Sequence, residues 1–345
     1  MLDYKTEIAK ERDLKILLEL YNKRVMTVDQ ISRKFGFTKY YTYKLCSKLF
    51  KSGLIVSNGI KGYLKSSGKK GSYYKVTNKA IRFLNMNGYK LEHDAESLRV
   101  SELQVPYLLT QNDIVYDLSS RFLMFDSRAG KKRYGMNRAD TLRGVLSSRS
   151  FNNDYPYYLF LDSESFGDLW LSRVVREVNK YSFRNVVMFV STAETFSIVL
   201  EKMLQSAEIY VYEKFMILPI GYGVNFFNHY IDTEVPLLEQ YLYDTHGIEQ
   251  VEKDDNRFYY SDMEVVELEG REFYLANALG NDITIIPKIQ RYTKERYEND
   301  GREVLLVSNK SINYQEIFKN VHHIHYISES ASDIMSYAKS QADSF

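Results

Sequence analysis

The sequence predicts an α+β protein in two parts: a small basic domain of helices with a β-hairpin, then a larger acidic domain in which apolar strands alternate with helices. Three observations lead there. Charge is the first: residues 1 to 90 hold 20 Lys or Arg against 6 Asp or Glu, a net of +14, while the other 26 basic and 39 acidic residues leave the remainder at −13. The second is a succession of three helix-period segments, each preceded by a good cap residue, ahead of two aromatic runs that flank a glycine- and lysine-containing turn. The third is the strand and helix alternation beyond residue 105, which argues for a sheet covered by helices.

Bulk properties bound the answer further. A hydrophobic content of 44% and a charged content of 26% are those of a globular chain rather than a disordered one. No apolar run nears the roughly 20 residues that span a bilayer. The start, MLDYKTEIAKERD, mixes charges where a secretory signal carries an apolar stretch, so a cytoplasmic protein with no membrane partner is expected. Cys46 is the only cysteine, which excludes intrachain disulfides and thiolate zinc clusters.

Taken in order, residues Thr6 to Tyr21 place Ile8, Leu14, Ile16, Leu17 and Leu20 near one side of a first helix. Thr27 is the expected N-cap of a second, TVDQISRKFGF, with Ile31 and Phe35 buried and Gly36 at the turn. Thr38 caps a third, TKYYTYKLCSKLFKSGLI, which Gly53 ends. Leu45, Cys46, Leu49 and either Tyr41 or Thr42 point inward there, Tyr41 being assigned to the core. The outer face then carries Lys39, Tyr40, Tyr43, Lys44, Ser47, Lys48 and Lys51. Residues 54 to 77 read as a hairpin around SSGKKGS, with a lysine tip, and NKAIRFLNM as a closing helix that Asn87 and Gly88 end.

This order resembles the winged-helix family over residues 5 to 88, on Leu49, Gly53, Leu54 and Ile55 at the exit of the third helix and on Tyr74 to Thr77 before the fourth. The resemblance implies that the third helix enters the major groove of double-stranded DNA, where ammonium and hydroxyl groups reach base edges. Lys65, Lys69, Lys70 and Lys75 would meet phosphates beside it. A docking module for protein is the competing reading of the same fold.

Residues 89 to 104 are polar and read as a linker, and residues 105 to 235 as an α/β domain. Thr110 is the expected cap of a helix in TQNDIVYDLSSRFLMF, and AGKKRYG reads as a turn. RADTLRGVL then leads to the strand YYLFLDSES, a helix with Leu169, Leu171, Val174, Val175, Val178 and Tyr181, the strand NVVMFVST and the helix AETFSIVLEKML. The series recurs as EFYLANALG, a helix containing Tyr292, and EVLLVSN, so residues 236 to 345 form a second α/β unit. Duplication of one unit and repetition of a common motif both stay open.

A winged helix followed by QNDIVYDL, RADTLRG, a strand ending in acids, a helix with a tyrosine near its end and a strand ending in Ser-Thr resembles the replication-relaxation family of bacterial plasmids and other mobile elements, over roughly residues 10 to 205. The resemblance implies a second domain similar to the PD-(D/E)XK nuclease fold. Asp140 and Asp162 fall at the positions of its two metal-binding acids, which would hold Mg²⁺. That fold carries a water-positioning lysine two residues beyond the second acid; here Glu164 stands there, and Arg173, Arg176 and Lys180 on the next helix are the available cations. VHHIHYI offers a second metal motif, since His323 and His325 alternate on an expected strand and Tyr337 follows as a candidate nucleophile.

The expected function is sequence-specific binding of double-stranded DNA, in the replication, maintenance or transcriptional control of a mobile element, without a cofactor. The acidic domain would serve assembly as a homodimer or contact with a protein partner. The alternative is a metal-dependent nuclease on Asp140, Asp162 and Lys180, or a nicking enzyme on His323, His325 and Tyr337.

Overall fold

The computed structural model describes residues 11–60, 71–161, 168–234, 236–252, 260 and 263–342. Helices and three sheets make the protein α+β, and it divides into two compact units, Met1–Ser119 and Ser120–Phe345. Among the described residues no helix is long and apolar enough to cross a membrane.

The first unit runs α1 (Glu11–Lys23), β1 (Met26–Thr27), α2 (Val28–Phe35), α3 (Lys39–Lys51), β2 (Ile55–Gly59), β3 (Ser72–Val76), α4 (Asn78–Met86) and α5 (Val105–Leu118). The helix starts are chemically marked. Thr27 accepts the Gln30 amide while the Gln30 side chain accepts the Thr27 amide, and Thr38 and Thr77 cap α3 and α4 by accepting the amides of Tyr41 and Ala80. Gly36 ends α2 at φ +66°, a left-handed conformation that side chains resist. The apolar sides of α1 to α4 meet in one core that includes Ile16, Leu20, Ile31, Leu45, Leu49 and Leu84. Each such burial contributes roughly 1.5–3 kcal/mol, which outweighs the modest helix preference of the tyrosine- and threonine-rich α3. Strand β3 lies between β1 and β2, antiparallel to both.

Two expectations change here. Thr110 does not begin a helix: α5 starts five residues earlier, with Pro106 in its first turn, where a missing N–H is harmless, and Thr110 is buried within it. That helix belongs to the first unit. Gln30 Nε2 donates to Leu109 O (2.7 Å) and Asp113 (3.0 Å), Arg33 pairs with Asp113 and Asp117, and Asn112 donates to Val25 O (2.8 Å). Residues 89 to 104 are not a free linker either. Leu98 joins the core, the His93 amide donates to Tyr21 Oη (2.9 Å) and the Ala95 amide to Asn78 (2.9 Å). The boundary therefore falls after residue 119 rather than near residue 88.

The second unit begins with β4 (Phe122–Asp126), α6 (Ser127–Arg133), β5 (Gly144–Ser148), β6 (Asp154–Phe160), α7 (Asp168–Lys180), β7 (Asn185–Val190), α8 (Ala193–Ser206), β8 (Lys214–Pro219) and α9 (Ile220–Tyr230). It continues with α10 (Leu237–His246), β9 (Glu249–Gln250), β10 (Glu264–Leu268), β11 (Arg271–Ala278), α11 (Ile285–Arg291), α12 (Lys294–Asp300), β12 (Glu303–Asn309), α13 (Tyr314–Ile317), β13 (Ile324–Glu329) and α14 (Ala331–Ala342). AGKKRYG is thus mostly helix, not turn. Asp126 caps α6 by accepting the Ala129 amide (2.8 Å), and Gly130 lets the helix lie against Val145. Leu169, read with the apolar residues of α7, is 88% exposed at its start.

The two five-stranded sheets have one topology. Strands follow in sequence order in each, β4 to β8 and β9 to β13, with the first two pairings antiparallel and the last two parallel. Tyr157 pairs with Val187 in the first sheet as Leu275 pairs with Leu305 in the second. The recurrence seen over two strands in the sequence extends to all five, which favours duplication of a whole sheet unit over repetition of a common motif. The halves are not separate domains, because one core runs from Tyr158, Met188 and Val199 to Tyr274, Ile286 and Leu306.

The halves join at β8. This edge strand is buried, so its outer backbone groups need partners that water cannot supply. Residues 281–283 supply them: Ile217 N donates to Asn281 O (3.3 Å), Phe215 N to Asp282 Oδ1 (3.0 Å) and Ile283 N to Phe215 O (2.9 Å). Asn281 takes φ +48° to do so, and a Cβ on the preceding Gly280 would stand 2.7 Å from the Phe226 ring of α9. Gly280→Ala is accordingly expected to destabilise by about 1–3 kcal/mol, measured as a lower urea midpoint with an unchanged slope. A midpoint equal to wild type would show that the seam tolerates separation.

Candidate nucleic-acid interface

Helical geometry sorts the residues of α3. Thr42, Leu45, Cys46 and Leu49 recur at spacings of three and four and are buried. The sequence assigns Tyr41 to the core, but it is 38% exposed whereas Thr42 is fully buried. One position along a helix is about 100° of rotation, enough to carry Tyr41 off the inward face. The Thr42 hydroxyl donates to Thr38 O (3.0 Å), while Tyr41 packs edge-on against Phe37 and accepts a bond from Arg12.

Lys39, Tyr40, Tyr43, Lys44, Ser47, Lys48 and Lys51 are all exposed on α3, as the sequence implies. The Lys44 ammonium lies 4.4 Å from the Tyr40 ring centroid, Lys39 is 2.7 Å from Asp29 Oδ1, and Lys48 is 3.5 Å from Asp13 Oδ2. The exposed Lys39–Asp29 pair holds by about 1 kcal/mol or less and yields to a competing anion, whereas Asp13 is buried and also meets Arg12. Phe50 escapes the sequence reading. It is 51% exposed, and its helical position, one residue past the inward Leu49, is the signal that could have found it. Lys75 lies half-buried on β3 opposite Val56, and Lys65, Lys69 and Lys70 lie outside the described residues.

Counting the whole first unit moderates the charge. With residues 91–119 included it holds 21 basic and 12 acidic residues, a net of +9, because the segment up to α5 brings acids. Asp113 and Asp117 engage Arg33 of α2 rather than α3, whose outer face carries four exposed lysines.

In the second unit Asp140 lies in the turn before β5. Its Oδ2 accepts the Asn137 amide (2.7 Å) and the Tyr181 hydroxyl (2.7 Å), and Lys180 sits 4.8 Å from the centroid of that tyrosine ring. Asp140 and Lys180 are therefore brought to one place, whereas Asp162 and Glu164 lie outside the described residues. The carboxylate nearest in role is one that sequence reading passes over. Glu177, buried on α7, accepts the Thr141 amide (2.7 Å) and hydroxyl (3.0 Å), and burial raises its pKa. Among the described residues no three His, Cys, Asp or Glu side chains are placed to hold a metal ion.

The histidines do not share a face. Strand β13 begins at Ile324, so His323 precedes it, stacks on Tyr297 at 4.9 Å and meets Tyr292 O through Nε2 (2.8 Å). His325 is exposed beside Phe273. Tyr337 packs against Tyr241 and donates to Asp244 (2.5 Å), with its pKa pushed up to about 12 by burial and that carboxylate. Tyr337 is thus engaged with α10 rather than paired with the histidines.

No protein-family model, curated protein or solved structure matches this chain.

Cys46 reports on the integrity of α3. Burial pushes its thiol up to about 12, so both access and thiolate are lacking. Native protein at pH 8 is expected to resist iodoacetamide for as long as it stays folded and to react once denatured, followed by mass spectrometry. Rapid modification of native protein would mean that α3 leaves its core.

Proposed function

We propose that the protein is a sequence-specific binder of double-stranded DNA in which the first unit acts as a winged helix, with α3 as the reading helix and the β2–β3 hairpin as the wing. One observation carries the reading: α3 holds Lys39, Lys44, Lys48 and Lys51 and no carboxylate, and its outward side adds exposed Tyr40, Tyr43 and Ser47. Ammonium groups suit guanine edges and phosphates, and tyrosines present both a hydroxyl and an apolar ring to base edges. The short α2–α3 turn and the antiparallel hairpin after α3 have the order that a groove-entering helix and a flanking wing require.

The resemblance of the sequence to the replication-relaxation family, drawn from the order of its motifs, points to a role in replication, maintenance or transcriptional control of a bacterial mobile element. A homodimer would present two reading helices to an inverted repeat. The acidic second unit, at −8, would serve assembly or contact with a protein partner. The function proposed is binding.

Competition titrations with specific and random duplexes test this reading, after selection of a preferred site. Tyr43→Ala and Lys44→Ala are expected to weaken the preferred site more than random DNA, by about 1–3 kcal/mol where the side chain meets a base edge. Lys75→Ala is expected to weaken both about equally. Equal losses for all three would reduce α3 to a phosphate clamp, and affinity untouched by any of them would remove the first unit from DNA binding.

A further inference from the structure

Against its net charge of −8, the second unit carries a dense local run of cations. Residues 127–143 and 168–181 together hold nine Lys or Arg and three Asp or Glu, so the rest of the unit stands at −14. Folding sharpens the contrast. Two of the three acids are bonded within the fold, half-buried Asp140 to Tyr181 and Asn137, and buried Glu177 to Thr141. Arg128, Lys132, Arg138, Arg173, Arg176 and Lys180 are all exposed, and among the described residues none of the six has a carboxylate partner.

The segments that carry these cations are tied together. On α7, Arg173, Arg176 and Lys180 follow one another at spacings of three and four, which is a single helix stripe. The stripe ends at Tyr181, whose hydroxyl is bonded to the turn of residues 137–140. That turn is tied to α6 through Lys131 Nζ, which donates to Arg138 O (3.1 Å), and the Tyr134 ring at the end of α6 meets Phe183 at 4.9 Å. A stripe, a turn and a short helix are thus fixed to one another by acids and rings bonded within the fold while their cations are exposed.

We infer that α6, the 137–141 turn and α7 form a second surface for a nucleic-acid phosphate backbone. Exposed Arg and Lys in a row are the footprint that a polyphosphate requires. The inference rests on the proposed DNA-binding function, and it gives Arg173, Arg176 and Lys180 a binding role in place of a catalytic one. Such contacts position the nucleic acid without reading its sequence.

The test uses the full chain and a duplex carrying the preferred site, with affinity measured across a salt series. Two triple variants, Arg128→Ala with Lys132→Ala and Arg138→Ala, and Arg173→Ala with Arg176→Ala and Lys180→Ala, are expected to flatten the dependence of log K on log salt. The slope falls by about 0.9 for each phosphate that is no longer neutralised, hence by up to about 3 in each triple variant. Preference for the specific site over random DNA stays as in wild type. Replacing the four arginines by lysine is expected to keep the slope, which separates charge from folding. Wild-type slopes in both triple variants, alongside weaker binding by Tyr43→Ala and Lys44→Ala, overturn this surface and leave the reading helix standing. Loss of polyglutamate binding instead of DNA binding assigns the patch to an acidic protein and also overturns it. A wild-type protein without duplex affinity removes both readings.

Discussion

The seam at β8 is the contact on which the second unit depends. A strand at the end of a sheet presents unpaired amides and carbonyls, and here that strand is buried, so the groups must be satisfied from within the chain. Residues 279–284 do this in a small space. Leu279 O accepts Tyr222 Oη and Asn309 Nδ2, each at 2.6 Å, Gly280 fits beneath Phe226, and Asp282 accepts the amides of Phe215 and Thr284. One loop of the second half thereby holds β8 and α9 of the first and β12 of its own sheet. It is one of the links, with Tyr230 Oη of α9 donating to Ile334 O of α14 (2.6 Å), through which two sheets of the same topology share one core.

A similar division between inward and outward groups shapes both candidate surfaces. On α3 a threonine, two leucines and a cysteine fill the core, which leaves lysines and tyrosines for solvent. Around Asp140 and Glu177 the carboxylates are spent on backbone amides and hydroxyls within the fold, which leaves arginines and lysines unneutralised outside. Those carboxylates keep their charge, but their oxygens are committed to amides and hydroxyls of the fold rather than to the exposed arginines and lysines. Net charge over a unit is then a poor guide to what any one patch of it will bind. The second unit is acidic as a whole and basic across α6 and α7.

The fold's local signals are legible wherever a single side chain decides an outcome. Thr27, Thr38 and Thr77 cap helices because a hydroxyl two or three residues away can reach a free amide, and Gly36 turns because no Cβ obstructs φ +66°. The outward face of α3 follows from spacing alone, except at Tyr41 and Thr42, where both residues border the inward face and only packing against α1 and Phe37 separates them. AGKKRYG misleads because glycine usually marks a turn, while Gly130 is there to bring α6 against Val145, a neighbour 15 residues away. Alternation places His323 and His325 on one strand face, but the strand starts between them and a tyrosine from α12 claims the first ring.

By itself the sequence determined the α+β class, the charge split, most helix starts and the cationic side of α3, because caps, periodicity and composition act over a few residues and need no distant partner. Tertiary structure alone decided the rest. It assigned α5 to the first unit, since Asp113 and Asp117 meet Arg33 some 80 residues earlier. It joined two sheets at β8 and engaged Asp140 and Glu177 within the fold beside the exposed cations of α6 and α7. Each of these outcomes turns on which buried polar group finds which partner, and hydrogen bonds between residues far apart in the chain leave no periodic trace in the sequence that encodes them.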